Sequence, residues 1–209
     1  MSPTVSIVTP VFNGAAFLAD HIASEQAQQM GDYEHLIVDN LSTDDGPAIV
    51  RQAAENDPRI RLMQQREMQC PAATRNAGIA LARGRFIAFL DCDDMWHPHK
   101  LSAQISAMQR AGAAFSWTGY DIVDVAGRAL RRQSVPAKAG FGDLLDRRLV
   151  IGCLTAVYDR EQLGRLPMPT DVMPEDFCLW ADILKTCAAR DLPVIGLPEA
   201  LATYRVHAG

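Results

Sequence analysis

Through the first hundred residues, short runs of continuous apolar character alternate with segments of helical period, and that alternation leaves few folds open. Residues 4–8 (TVSIV) read as a buried strand, broken by Asn13-Gly14. Residues 15–28 carry Phe17, Leu18 and Ile22 at helical spacing. Residues 35–38 (HLIV) form a second strand; Asp44, Asp45 and Pro47 open a helix that closes near Asn56-Asp57-Pro58. Residues 60–63 are a third strand, 71–82 an alanine-rich helix stopped by Gly84, 86–90 (FIAFL) a fourth strand, and 98–111 a helix stopped by Gly112. Strands that are apolar on both faces and separated by helices demand a parallel sheet covered on both sides, with right-handed crossovers. Ligands of such sheets sit at the carboxyl ends of the strands. The residues that follow each strand are therefore the candidates for function.

After Gly112 the pattern changes. Residues 114–117 and 120–123 read as one or two strands with Gly127 as a hairpin turn, 141–147 as a short helix and 154–158 as a strand. Residues 175–189 are an amphipathic helix with Phe177, Trp180, Ile183, Leu184 and Cys187 on one face. Residues 192–197 and 201–206 look like final strands. No linker composition separates the halves. The expected fold is α/β: a Rossmann-like, mostly parallel sheet flanked by helices, with a mixed second half. We read 1–209 as one domain, made of halves 1–112 and 113–209.

The net charge of −5 argues against a nucleic-acid partner, which would call for a basic surplus. Five cysteines, an odd number without C-x-x-C spacing, fit neither a disulfide framework nor a zinc site, so a reducing compartment is expected. No basic segment followed by an apolar run opens the chain, and no stretch is long enough to span a bilayer. The expectation is a soluble or peripheral cytoplasmic protein. Two basic groups stand out: Arg128, Arg131, Arg132 and Lys138, and the pair Arg147-Arg148. They serve as solvated loops, or as contacts for an anionic acceptor or lipid head groups.

The fourth strand ends in Leu90-Asp91-Cys92-Asp93-Asp94. Three carboxylates in four positions repel one another unless a cation or a helix N-terminus offsets them. Asp-x-Asp suits Mg²⁺ or Mn²⁺, which prefer oxygen ligands and complete their shells with phosphate oxygens. Capping of a short turn by Asp93 or Asp94 is the alternative use. Glu175-Asp176 opens the strongest helix of the second half, where acidic residues also favour the helix dipole.

These segments occur together with others. Residues 5–13 (VSIVTPVFN), 36–44 (LIVDNLSTD), Arg75-Asn76-Ala77-Gly78, 82–94 (ARGRFIAFLDCDD), Pro98-His99-Lys100-Leu101, 175–180 (EDFCLW) and Tyr204-Arg205-Val206-His207 closely resemble the family 2 glycosyltransferases, in order and in spacing. The likeness is strongest to bacterial members that build teichuronic acids, capsules and exopolysaccharides. It implies a GT-A fold and an inverting, metal-dependent transfer of sugar from a nucleotide diphosphate sugar, expected to be a UDP-sugar, to an acceptor hydroxyl. The acceptor it implies is a saccharide or lipid-linked saccharide, with peripheral association at the inner face of the cell membrane. It also implies acceptor-binding sequence beyond the position of Gly209.

The resemblance places the nucleotide against Pro10, Phe12, Asn13, Asp39, Asn40, Arg75, Asp91 and Cys92. Phe12 stands where tyrosine is usual; it can stack but not donate a hydrogen bond, and a plain core aromatic is its other reading. Asn40 replaces an aspartate, which opens the choice of base. Cys92 is not read as a ligand, since thiolates suit softer metals. Asp93 and His207 are the implied metal ligands, Asp176 the general base, and Glu175 a residue that places the acceptor. A nucleotidyltransferase would carry a glycine- and arginine-rich phosphate loop, but residues 10–14 hold one glycine and no basic side chain. A non-catalytic nucleotide-sugar-binding or assembly subunit is the other alternative.

Overall fold

The computed structural model describes residues 2–207. Its first half holds strands β1 (Val5–Val11), β2 (Tyr33–Asp39), β3 (Ile60–Gln64) and β4 (Phe86–Phe89). They are parallel, in the order β3-β2-β1-β4, with Val8 beside Leu36 on one side and Phe89 on the other. Helices α1 (Ala15–Gln26), α2 (Gly46–Asn56) and α3 (Pro71–Leu81) cross between them, and α4 (Lys100–Ala111) follows. The alternation of side chains along β1 divides the core. Val11 packs with Leu18 of α1 and Val50 of α2, and Val5 and Ile7 with Leu101 and Ile105 of α4. Val8 points the other way, into the cluster that holds Ile79 of α3 and Trp180 and Ile183 of the helix at 175–189. Gly78 lets α3 lie close on β1: a Cβ there would stand 2.7 Å from Val8. That close approach sets the height of Arg75 above the strand ends.

The second half continues the same sheet, which has nine strands among the described residues. It adds β5 (Met95–Trp96), β6 (Phe115–Asp124), β7 (Ala129–Gln133), β8 (Val157–Asp159) and β9 (Val194–Val206). From β4 the order runs β8-β6-β9-β5, and β7 pairs with β6 through a turn at Gly127. β8 is antiparallel to β4, so the sheet becomes mixed at the boundary between the halves. Helices α5 (Phe141–Leu145), α6 (Arg160–Leu163) and α7 (Glu175–Ala189) complete the chain. No helix among the described residues is long and apolar enough to cross a membrane.

Several expected boundaries move. The two final strands expected at 192–197 and 201–206 are one strand, β9, in which Pro198 and Glu199 bulge out of the pairing with β6. The strand expected at 154–158 is a 3-10 turn, Cys153–Thr155, followed by three strand residues. The helix expected at 141–147 ends at Leu145, two residues before Arg147, which has φ of 57°.

Candidate active site

The carboxyl ends of β1 and β2 lie side by side and carry the first group of candidates. Pro10, Phe12, Asn40 and Thr74 line a cavity of about 140 Å³ between those ends and α3. Phe12 is 51 % exposed, so its ring is a platform open to solvent and not a core aromatic. Asn13 has φ of 51°, a conformation that asparagine tolerates. Its Oδ1 accepts from the Thr43 N–H at 2.8 Å, and its own N–H donates to Ser42 Oγ at 2.9 Å. Asp39 is buried, accepting from the Ser42 N–H and Gln64 Nε2. Asn40 donates to the Gln69 carbonyl at 2.8 Å and accepts from the Gln69 N–H at 2.9 Å. Its side-chain amide thus clamps the 65–70 loop while Asn40 also lines the cavity. Cys92 packs its side chain against the apolar cluster of Val11, Leu18 and Ile37, and burial pushes its thiol up to about 12.

Arg75 joins the two halves of the chain. Its Nη2 donates to Asp91 Oδ1 at 2.6 Å and its Nη1 to Glu175 Oε1 at 2.9 Å. Arg75 and Glu175 are both buried. Burial works against the guanidinium charge, but the Asp91 and Glu175 carboxylates outweigh it and hold the Arg75 pKa above its ordinary value. The end of β4 and the start of α7, 84 residues apart along the chain, are fixed to one cation.

A second junction lies on the other side of Asp91. His207 Nε2 stands 2.6 Å from Asp93 Oδ2, and its ring lies 4.9 Å from that of Phe17. The end of β9 reaches this place because Asp94 Oδ1 accepts the Arg205 backbone N–H at 3.0 Å. The Arg205 guanidinium lies over the Phe17 ring and donates to Asp20. Residues 91–94 form a short turn in which the Asp94 N–H donates to the Asp91 carbonyl at 3.0 Å, and the N-cap of α4 is His99. Burial, followed by the Asp91 and Asp93 charges, raises Asp94 well above the ordinary carboxylate range. Among the described residues no group of three or more His, Cys, Asp or Glu side chains closes around an ion position. Asp93 and His207 supply one oxygen and one nitrogen. Such a pair can hold a hard divalent ion when a diphosphate and water fill the remaining positions.

Asp176 lies between two cavities. One, of about 320 Å³, is lined by Asp91, Asp94, Asp176, Tyr120, Cys153 and Tyr204. The other, of about 450 Å³, is apolar and borders α5 and α7. Burial raises the Asp176 pKa above the ordinary value, against the lowering effect of the Phe177 N–H and of Arg75. A carboxylate so placed is a stronger base than one in water and touches the space where two ligands could meet.

The geometry thus brings Arg75, Asp91, Glu175 and Asp176 together, sets Asp93 against His207, and leaves Pro10, Phe12, Asn13, Asp39 and Asn40 along the adjoining strand ends. The residue reading missed Tyr120, Tyr204, Asp94 and Arg205 as site residues. Tyr120 and Tyr204 meet edge to face with centroids 6.2 Å apart on the wall of the acidic cavity. Tyr204, Arg205 and Asp94 lie inside motifs that were visible in the sequence; Tyr120 lies in a plain strand and gives no such signal.

The model of Glycosyl transferase family 2 matches residues 6–163. The chain is 35 % identical over 205 residues to TuaG of Bacillus subtilis, named as a teichuronic acid biosynthesis glycosyltransferase, covering 98 % of this chain and 79 % of that one. It is also 35 % identical over 184 residues to WfgD of Escherichia coli, a UDP-Glc:alpha-D-GlcNAc-diphosphoundecaprenol beta-1,3-glucosyltransferase, covering 87 % of this chain and 70 % of the other. Among solved structures, that of S. aureus TarS 1-349 in complex with UDP-GlcNAc superposes with a TM-score of 0.79 at 17 % identity. The match covers all of this chain, which spans 60 % of the TarS chain, and it shows the shared fold.

Proposed function

This chain belongs to glycosyl transferase family 2, and we propose that within it the chain moves a sugar from a UDP-sugar to a hydroxyl of a saccharide or lipid-linked saccharide. The work it serves is the building of a bacterial cell-surface polysaccharide at the inner face of the cell membrane. The observation that carries this reading is Arg75, which holds Asp91 on the donor side and Glu175 on the acceptor side with one guanidinium. That bridge fixes Asp176 beside the donor cavity. UDP as the carrier is supported by the UDP-Glc in the name of the WfgD relative.

In this mechanism Phe12 stacks on the base, and Asp39, with the loop clamped by Asn40, borders the ribose. Asp91, itself held by Arg75, faces the ribose or the metal ion. Asp93 and His207 would hold Mn²⁺ or Mg²⁺; when bound, such an ion offsets the charge that develops on the leaving diphosphate. Asp176 accepts the proton of the acceptor hydroxyl as that oxygen attacks the anomeric carbon from the face opposite the leaving group. One displacement of this kind inverts the anomeric centre. Holding both substrates in line supplies the entropic part of the acceleration.

The direct test supplies UDP-sugars with a sugar-diphospho-lipid acceptor and reads the anomeric configuration of the product by NMR. Inversion is expected; retention contradicts a single displacement onto a base at Asp176. Two further results follow. Asp93→Ala weakens UDP binding in the presence of Mn²⁺ at least about ten-fold, equivalent to about 1.4 kcal/mol. Calorimetric titration checks this, and in EDTA wild type and variant are expected to agree. Because burial raises the Asp176 pKa and the base must be ionised, kcat/KM falls as pH drops through that raised value. The acid limb of the profile therefore lies above about 3.9, the ordinary aspartate value. A limb at or below it contradicts the assignment of Asp176.

A further inference from the structure

We infer that the apolar cavity between α5 and α7 binds the prenyl-side end of a polyprenyl diphosphate-linked sugar acceptor, with Arg147 on its diphosphate and Asp176 at its reacting hydroxyl. The inference rests on the transfer reaction proposed above. The cavity is about 450 Å³, within the size range of small-molecule sites, and its walls include Leu144, Leu149, Ile151, Phe177 and Trp180. Its lining includes two charged side chains of opposite sign: Asp176, which also lines the donor-side cavity, and Arg147. Arg148 is engaged by Asp143 and Asp146, whereas Arg147 forms no ion pair with a carboxylate among the described residues. A cation of this kind at an apolar site suits a phosphate oxygen.

The surface that continues from the cavity is apolar as well. Leu145 and Val150, both lining it, are 53 % and 43 % exposed, and Met173, next to the lining residue Pro174, is 81 % exposed. Exposed side chains of this size gathered beside a cavity mark a binding surface. Base, cation and apolar ledge together match a ligand that presents a hydroxyl, a diphosphate and a hydrocarbon chain. A free saccharide would use only the first.

Farnesyl diphosphate, farnesol and inorganic diphosphate are the probes, titrated calorimetrically into the whole chain with the donor cleft saturated by UDP and Mn²⁺. Farnesyl diphosphate is expected to bind at least ten-fold more tightly than either fragment. Arg147→Glu and Val150→Asp should each weaken it at least ten-fold while leaving UDP affinity unchanged, which also shows that the variants fold. Absence of farnesyl diphosphate binding overturns the inference, as does equal binding of farnesol with no effect of Arg147→Glu. Binding to phosphatidylglycerol vesicles without affinity for farnesyl diphosphate assigns the ledge to the bilayer surface instead. A dimer in sedimentation that Val150→Asp dissociates assigns it to a second copy of the chain. Failure of UDP itself to bind the wild type strikes the donor reading, an outcome separate from all of these.

Discussion

Asp176→Asn lowers the rate of sugar transfer by roughly 10²–10⁴-fold, the span typical of a lost general base, and leaves UDP affinity within about two-fold of wild type. The amide keeps the size of the carboxylate but cannot take the hydroxyl proton. Asp176 Oδ1 accepts the neighbouring Phe177 N–H at 2.7 Å, and the amide oxygen of asparagine can accept the same bond. The loss is therefore expected in kcat, with the start of α7 in place. Single-turnover transfer and calorimetric UDP titration separate the two effects. Normal turnover of the variant assigns the proton to another group.

Arg75→Met is expected to be the most destabilising single change in the site, costing about 3–5 kcal/mol. Methionine fills much of the space but leaves Glu175 buried and Asp91 beside it with no cation between them. The acidic cavity already holds Asp94 and Asp176, so no other group there offsets the charge. In a domain of this size the loss corresponds to a fall in Tm of roughly 10 °C. Urea unfolding gives the stability, and adding Glu175→Gln to Arg75→Met should recover part of it, because one uncompensated charge is then removed. Full stability of Arg75→Met would mean that the bridge does not hold the halves together.

The first half of the fold was legible because β1, β2 and β4 are buried on both faces and the helices are punctuated by Asn13-Gly14, Pro47, Pro71 and Gly112. Period and punctuation agree there. The second half was less so, for reasons that can be named. β7 is exposed and arginine-rich, so it carries no apolar pattern. β5 has two residues and β8 three, too short for any period to show. Pro198 and Glu199 imitate a turn inside β9, although Gly119 on β6 leaves room for the bulge to pass.

In the site, residue types and family motifs pointed to Asp91, Asp93, Asp176 and His207, but the contacts among them are tertiary. Arg75 reaches Glu175 across 100 positions, and His207 reaches Asp93 across 114. Both depend on β9 returning to β5 and on α7 docking against the sheet, which no local signal announces. Asn40 shows the opposite limit. Its replacement of aspartate opened the choice of base, and its amide also holds the Gln69 backbone, a partner that sequence does not reveal.

The central claim is that the strand ends form a nucleotide diphosphate site that works with a metal ion. The most direct test is a thermal-shift series with UDP, GDP and ADP, each with Mn²⁺ and with EDTA, since preferential binding to the folded chain raises Tm by mass action. The account predicts a rise with UDP that is larger in Mn²⁺ than in EDTA and exceeds the rise with either purine nucleotide. No rise with any nucleotide, in Mn²⁺ or in EDTA, contradicts it.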